Sequence, residues 1–538
     1  ASQAPDRTPG NRVYLETFGC QMNELDSELV RGSLGALGYD FIDDPDQADI
    51  ILYNTCSVRE QAENKVRSRI GLVGRQKQRE QREVVLGILG CMAEREGLDL
   101  IRTFPQVDLM VGPGELDKLP ALLDNACKTR RVHLHDHVAL QGNTSRRTAT
   151  LAAAEDDLEL LDLSRAFDPD RAAAAGRTAY VRITRGCNKF CTYCVVPHTR
   201  GAEVHRPPDD IIDECRRLAD QGVIEVTLLG QTINHYIYVH GTALTVGGRE
   251  APQIGPGLDA FRQDRDRIAP GKRVTTFADL LRRIHDEVPS IQRLRFVTSY
   301  PRDFSDEALQ VMAESPRICN YLHVPAQSGS NRMLKAMNRG YTVEQYLEFI
   351  DRARSFMPNV SIAGDIIVGF PGETEEDFEL TRQLVERVGF KNNFIFKYSP
   401  RPGTTAIRRF EDDVPDEVKR RRNNELLAVQ ARVSRAVHES WVGRTVDIFV
   451  ERRSELSKKL ENGIDLRWRP RTVQLSGRTP GDLITVFEVP ESEDPDRLIG
   501  EIVPVRVVEA GPLLLRAERV GVGGIGVSAV AAGGADAS

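Results

Sequence analysis

Short apolar runs of strand length recur along the chain from Val13, each followed by a stretch with helical spacing. The first three, Val13–Phe18, Ile50–Tyr53 and Val84–Leu89, each run into a cysteine: Cys20, Cys56 and Cys91. Strands alternating with helices predict a parallel sheet, and such sheets bind ligands beyond the carboxyl ends of their strands. All three cysteines are therefore expected on one rim. The unit closes around Val107–Gly114 and Leu119–Leu123. A second series follows, with strands expected at Tyr180–Thr184, Ile224–Leu229, Arg293–Val297, Tyr321–Val324, Ile362–Val368 and Phe394–Tyr398. Six such units make an open or partial (β/α) barrel with its site at the C-terminal mouth. Beyond Pro415, apolar residues at Val418, Leu426, Val429, Val433, Val437 and Trp441 predict a helix ending at Gly443. Short β-rich runs then appear at Val446–Val450, Thr472–Leu475, Leu483–Val489 and Ile502–Val508. They predict a small β-barrel.

The fold class is thus α/β, and the chain divides as follows: a tail at 1–12, a parallel α/β domain at 13–128, a polar, alanine-rich linker at 129–176, and a barrel domain at 177–414. A connecting helix at 415–443, a β-barrel at 444–520 and a tail at 521–538 complete it. Within the second series, residues 238–276 are Gly- and charge-rich without period and are expected to be an inserted surface loop.

Composition narrows the class. With 538 residues, 40% of them hydrophobic and 28% charged, the chain is of soluble globular type and long enough for about three domains. Nine cysteines are too sparse for a disulfide scaffold, and no leading segment combines a charged start with an apolar stretch. The expected compartment is a reducing cytoplasm. Apolar runs such as Val84–Leu89 fall far short of the roughly 20 residues that span a bilayer, so no membrane role is expected. The net charge of -7 hides a basic stretch: between Arg401 and Arg478 there are about 18 Lys/Arg against about 12 Asp/Glu. Such an excess suits either a solvated surface or a nucleic-acid partner.

Candidate chemistry begins with Cys187, Cys191 and Cys194, a CxxxCxxC triplet directly after the first barrel strand. Three thiolates this close can hold three corners of a four-iron four-sulfur cluster and leave one iron open to a ligand. The competing reading is a zinc site completed by His198. In this triplet the chain resembles the radical S-adenosylmethionine superfamily. The resemblance implies that the open iron chelates the amino and carboxylate groups of S-adenosylmethionine and that reductive cleavage releases a 5′-deoxyadenosyl radical. It also implies that Phe190 and Tyr193 border the adenine, while Gln231, Ser299, Gln327 and Asp365, at the ends of later strands, line the rest of the cofactor pocket. A strand-end polar residue satisfying a turn is the plainer reading of those four.

Cys20, Cys56 and Cys91 form either a second three-cysteine site or three unrelated core thiols. The surrounding words, Thr17–Glu24, Asn54–Glu60 and Gly90–Arg95, resemble the amino-terminal domain of the methylthiotransferases. That resemblance implies an auxiliary four-iron four-sulfur cluster handling the sulfur to be inserted, followed by a radical S-adenosylmethionine domain and a terminal TRAM domain that holds RNA. Gly369–Thr374 and Lys397–Thr404 match further stretches, the first also reading as a turn into a helix capped by Thr374 and Asp377. Cys127, Cys215 and Cys319 have no partner spacing and are expected in the core.

The word Phe18–Asn23 is similar to the MiaB type of methylthiotransferase. This implies methylthiolation at C2 of N6-isopentenyladenosine at position 37 of tRNA. Runner-up readings are methylthiolation of threonylcarbamoyladenosine and, from another class, a non-catalytic iron–sulfur redox sensor that binds RNA. The implied partners are a tRNA carrying isopentenyladenosine, an electron donor such as flavodoxin or ferredoxin, and a sulfur source, with the chain acting as a monomer.

Overall fold

The computed structural model describes residues 10–57, 60–79, 82–129, 138–140, 162, 177–243, 245–246, 248–255, 270–454 and 472–520. Residues 1–9 of the first expected tail, the whole of the second and residues 244, 247 and 256–269 of the insertion lie outside them; residues 10–12, expected in the tail, are described, with Arg12 opening the first strand. The chain folds as two compact units, one of residues 1–434 with 480–482 and the other of residues 435–479 with 483–538.

The first unit opens with β1 (Arg12–Phe18), α1 (Gln21–Ala36), β2 (Asp40–Phe41), β3 (Ile50–Thr55), α2 (Glu60–Arg79), β4 (Val85–Gly90), α3 (Cys91–Glu96), α4 (Leu98–Thr103), β5 (Leu109–Val111), α5 (Leu119–Thr129) and β6 (Val138–Ala139). The six strands form a parallel sheet in the order β2-β1-β3-β4-β5-β6. β3 is buried along its whole length, as a central strand covered on both faces must be. Val13, Ile50, Leu52 and Leu109 pack toward one layer; Ile51, Ile88, Val66 and Ile70 pack toward the other. Within the stretch 129–176 expected as a linker, Val138–Ala139 forms β6 and the buried carboxylate of Asp162 pairs with Arg182 at 2.5 Å. A two-residue strand is too short to leave a period in the sequence, and an isolated ion-pair partner leaves none.

The same unit continues through six parallel strands: β7 (Thr178–Arg182), β8 (Glu225–Leu229), β9 (Arg293–Phe296), β10 (Tyr321–His323), β11 (Ser361–Val368) and β12 (Asn392–Lys397). Strands β7, β8 and β9 pair in the order β9-β8-β7, and β10, β11 and β12 pair in sequence. Main-chain bonds from Leu294 N to Arg317 O and from Cys319 N to Leu294 O join the two halves into one open arc. Intervening helices include α6 (Pro208–Asp220), α7 (Phe277–Glu287), α8 (Asp306–Glu314), α9 (Val343–Phe356) and α10 (Glu375–Val388). Capping boxes open α7 at Thr276, α9 at Thr342 and α10 at Thr374 with Asp377, so these three turns out of the sheet are written in local hydrogen bonds.

The stretch 238–276 is not a simple surface loop. Ile237–Val239 pairs antiparallel with Val274–Thr276, Gln253–Ile254 pairs with Val204–His205, and Tyr238 is fully buried with its hydroxyl on Ala251 O. Its base is framework, because both ends must satisfy their backbone groups against the barrel. α11 (Asp416–Glu439) follows and crosses into the second unit.

The second unit is a closed barrel of β13 (Thr445–Arg453), β14 (Thr472–Arg478), β15 (Ile484–Pro490), β16 (Ile502–Ala510) and β17 (Leu515–Arg519), in the order β13-β14-β15-β17-β16. Burial alternates along β16, and Ile448, Leu475, Phe487, Val489 and Val505 fill the interior. β17 has no counterpart in the predicted strands; its polar-rich LRAER shows only two apolar positions, yet a five-strand closure requires it.

Candidate active site

The first triad is built by strand register. Phe18 of β1 lies opposite Thr55 of β3, and Thr55 lies opposite Gly90 of β4. Cys56 and Cys91 are the first residues after their strands and Cys20 comes two after Phe18, so all three emerge along one rim. Glycines make this close approach possible. A Cβ on Gly19 would stand 2.7 Å from Cys56 Cβ, and one on Gly90 would stand 2.4 Å from Asn54 Oδ1. Asn54 ties the rim together: it accepts from Asn23 Nδ2 at 3.0 Å and donates to Asn23 O and Ser27 Oγ, both at 2.9 Å. Cys56 and Cys91 are buried and Cys20 is half-buried. A hydrogen bond with Cys56, followed by the charge of Arg200, pulls the Cys20 thiol down to about 6, against its burial. Burial pushes the Cys91 thiol up, and Arg200 opposes that shift.

Arg200 comes from the barrel segment that follows the other triad. Its guanidinium meets Asp26 of α1 at 2.7 Å with both side chains buried. Met22, Leu25 and Leu29 of α1 form an apolar cluster with Leu229 at the end of β8. Arg401 reaches Glu63 of α2 at 3.0 Å, and Ser399 donates to Glu60 at 3.0 Å. The word Lys397–Thr404 thus pins the barrel to the first sheet's helices. Gly369–Thr374 is likewise a turn: Gly369 N donates to Glu373, whose carboxylate pairs with Arg422 at 2.7 Å.

The second triad lies in the loop after β7. Cys187 Sγ is 3.7 Å from Thr232 Oγ1, which fixes one end of the loop beside the end of β8. Thr192 N bonds Met337 O and Thr192 Oγ1 bonds Ala336 O, both at 3.0 Å, and Asn338 Nδ2 donates to Phe190 O at 2.9 Å. Burial raises the Cys187 thiol to about 12 and the Cys194 thiol further. Uncharged thiols here are costly to ionise without cations, which iron would supply. Phe190, at φ +49, stands exposed at the loop tip, whereas Tyr193 packs against Met333, Met337, Phe370, Tyr398 and Ala406.

Hydrogen bonds link the neighbouring segments that carry the remaining expected pocket residues. Gln231 lies just past β8, where Ile233 N bonds Thr298 O. Ser299 N bonds His323 O at 2.9 Å, and His323 Nε2 lies 3.3 Å from Asp365 Oδ1. Gln327 N bonds Asp365 O at 2.8 Å. Asp365 is not at a strand end but inside β11, because that strand runs past β10 and pairs onward with Gln327. Ser299 Oγ, Gln327 Oε1 and Thr184 Oγ1 are buried and have no hydrogen-bond partner among the described residues. Buried polar atoms left without a partner at or just past barrel strands suit a polar ligand. Thr298 and Gln327 also hold positive φ, +67 and +70, a strain usual at binding sites. Among the described residues no three Cys, His, Asp or Glu converge as they would on a single ion; a cubane cluster asks instead for a spread triangle of thiolates.

Residues 181–385 match the Radical SAM superfamily, and residues 12–112 match a family described as uncharacterized protein family UPF0004. The tRNA-2-methylthio-N(6)-dimethylallyladenosine synthase of Rhodopirellula baltica is 40% identical over 524 residues, covering 96% of this chain and 98% of the relative. The chain belongs to this synthase family. Relatives of the same name from Paraburkholderia xenovorans and Burkholderia multivorans are 38% and 39% identical, each over 95% of this chain and 97% of theirs. Among solved structures, the radical S-adenosylmethionine methyltransferase TsrM from Kitasatospora setae, with cobalamin and an iron–sulfur cluster bound, superposes with a TM-score of 0.49 at 15% identity, over 74% of each chain. The synthase-family match spans both cysteine triads. Arg200, Thr184, His323 and Arg339 were not singled out in the sequence; only their spacing from the cysteine loop and strand ends signals them, and that spacing acquires meaning once the chain is folded. Cys215 and Cys319 are buried as expected and Cys127 packs against the first domain's core.

Proposed function

We propose that this chain is a radical S-adenosylmethionine transferase that attaches a methylthio group to C2 of N6-dimethylallyladenosine at position 37 of tRNA. The observation that carries the reading is the pairing of two cysteine triads, one on the rim of the first sheet and one at the barrel mouth, joined by the buried Arg200–Asp26 bridge. Cys187, Cys191 and Cys194 would hold the cluster that cleaves S-adenosylmethionine; Cys20, Cys56 and Cys91 would hold a second, where the sulfur resides. When bound, these groups supply a hydrogen-abstracting radical and a sulfur to transfer, chemistry no side chain here can perform on an unactivated aromatic C–H bond. The chain's own part is placement. Ser299, Gln327 and Thr184 carry unpartnered polar atoms that would meet the S-adenosylmethionine, with Gln231 and Asp365 completing the lining, and Phe190 and Tyr193 would border its adenine. An anticodon loop suits such a site, because unpaired bases can be splayed into a pocket while basic side chains meet phosphates.

The β-barrel unit is the proposed RNA-holding element. A low-potential electron donor of flavodoxin or ferredoxin type, a separate sulfur source, a monomeric state and a cytoplasmic setting complete the reading. No helix among the described residues is long and apolar enough to cross a membrane. The test is nucleoside mass spectrometry of tRNA from cells lacking the chain, complemented with the parent or with Cys20, Cys56 and Cys91 changed together to Ala. The parent restores methylthio-dimethylallyladenosine. The triple variant does not, yet when purified it still forms 5′-deoxyadenosine. Parental product from the triple variant refutes the sulfur-holding role, and a methylthio-threonylcarbamoyladenosine product would move the substrate to the runner-up.

A further inference from the structure

The turn Ala336–Tyr341, between β10 and α9, closes over the loop that carries Cys187, Cys191 and Cys194. It does so through Thr192 N and Oγ1, Asn338 Nδ2 and, at its centre, Arg339. The Arg339 guanidinium is held in a fixed pose: Nε donates to Tyr341 Oη at 3.1 Å, Nη2 donates to Pro325 O at 3.2 Å, and its carbon stands 4.7 Å and 5.1 Å from the ring centres of Tyr300 and Tyr341. Its remaining arm, Nη1, points to Cys191 Sγ at 3.3 Å. No carboxylate among the described residues pairs with it. Other enclosed arginines of this unit do have one: Arg182 has Asp162, Arg200 has Asp26, Arg206 has Glu214 and Arg422 has Glu373.

A guanidinium cannot shed its proton, and drawing it out of water without a counter-charge is costly. The site therefore calls for an anion at the Cys191 sulfur. We propose that Arg339 is a positioning residue of the Cys187–Cys194 cluster, its charge and its hydrogen bond to the Cys191 sulfur favouring the reduced state. The inference rests on the assignment of Cys191 as a cluster ligand. Its physical basis is that one-electron reduction adds a negative charge beside a fixed positive one, and hydrogen bonds to ligand sulfurs and local charge are the protein's means of setting a cluster's potential. Tyr300 and Tyr341 keep the guanidinium from swinging out to solvent.

The experiment is an EPR-monitored redox titration of anaerobically reconstituted protein in which Cys20, Cys56 and Cys91 are Ala, so that one cluster remains. Arg339→Gln, which keeps a donor and loses the charge, should lower the ratio of reduced to oxidised cluster about tenfold at a fixed poise, equivalent to a fall of about 59 mV for one electron. Arg339→Lys, with the charge retained and the fork lost, should fall less in the same direction. Iron content is measured on each preparation. Equal potentials in the parent and Arg339→Gln, at equal iron content, overturn the proposal. So does weakened S-adenosylmethionine binding at an unchanged potential, which would assign the guanidinium to the cofactor's carboxylate. If Arg339→Gln assembles no cluster, Arg339→Lys decides alone, and an unshifted potential overturns the idea. A parent without any reducible cluster counts against the ligand assignment itself, before any variant is compared.

Discussion

Cys91 reaches the rim because the residue before it has no side chain. Gly90 sits at φ +88 with its missing Cβ facing Asn54 Oδ1 at 2.4 Å and Thr55 O at 2.9 Å. Gly90→Ala meets both a positive-φ backbone penalty of about 1–3 kcal/mol and a clash with main chain that cannot yield. The expected outcome is a lower thermal midpoint together with loss of about one cluster's worth of iron. Gly38 is the control, since it has φ +86 and nothing within 4 Å of its Cβ. Gly38→Ala should cost the backbone penalty alone and keep the iron. Asp26 makes a second prediction at this scale. Asp26→Leu strands the buried Arg200 guanidinium and should destabilise the first unit by about 3–5 kcal/mol, whereas adding Arg200→Met should recover much of that loss. Urea midpoints of the two variants and the parent check it, and a double variant no better than the single would contradict the pairing argument.

At the scale of elements, the cysteine loop is anchored by a buried chain of alternating acidic and basic side chains. Lys189 meets Asp303 at 2.5 Å; Asp303 also lies 2.8 Å from His235, which stands 3.5 Å from Glu203, and Glu203 is 2.9 Å from His205. The chain links the loop after β7 to the turn after β9 and to the strand pair at the base of the insertion. Burial works against ionising Asp303 and Glu203, but the histidines, with Lys189 at Asp303, hold both carboxyls well below their usual range. A depressed carboxyl binds fewer protons folded than unfolded. Its stabilisation is therefore fully present above the ordinary carboxyl range near 4 and is lost progressively as pH falls from there toward the much lower folded value. The stability of the first unit should drop between about pH 5 and pH 3, by up to about 1.4 kcal/mol per pH unit for each carboxyl. Asp303→Asn with Glu203→Gln should flatten that slope, as read from urea midpoints across the range. An unchanged slope would remove the chain from the account of acid stability. None of this network was legible beforehand: its five residues come from segments spread over more than 110 positions, from Lys189 to Asp303, and share no period. The strands and capped helices that position them were legible, since hydrophobic spacing and Thr-x-x-Asp or Thr-x-x-Gln boxes are local signals.

For the whole molecule, the basic stretch acquires a different weight once folded. Lys419 pairs with Asp412, Arg421 with Glu375, Arg422 with Glu373, Arg453 with Asp496 and Arg478 with Glu451. Glu373, Glu375 and Asp496 lie outside the stretch, so part of its charge excess is offset by ion pairs within the protein, and Lys458, Lys459, Arg467, Arg469 and Arg471 lie outside the described residues. Removing the chain after Gly443 should weaken tRNA binding while leaving 5′-deoxyadenosine formation measurable. The affinity of the full chain should fall with salt, at about 0.7 in log–log slope for each single-strand phosphate contact, and the truncated chain should show a smaller slope. Equal affinity and slope in both would reassign RNA binding to the first unit. Trp441 and Trp468, the chain's two tryptophans, both fall in the second unit's range. Tryptophan fluorescence should therefore follow the barrel's unfolding alone, and its midpoint should differ from that read by tyrosine absorbance of the first unit.

The sequence by itself determined the succession of elements, the barrel's six strands and the two cysteine sets, because periodicity, caps and short-range spacing are written between near neighbours. Tertiary structure alone decided what surrounds the cysteines. The register of β1, β3 and β4 sets the rim that Cys20, Cys56 and Cys91 share; the length of β11 places Asp365 inside a strand; and β6 and β17 exist only because a sheet and a barrel needed an edge filled. Arg200 at Asp26 and Arg339 at Cys191 are partners 174 and 148 positions apart. A buried charge finds its counterpart wherever folding brings one, and no local pattern records that distance.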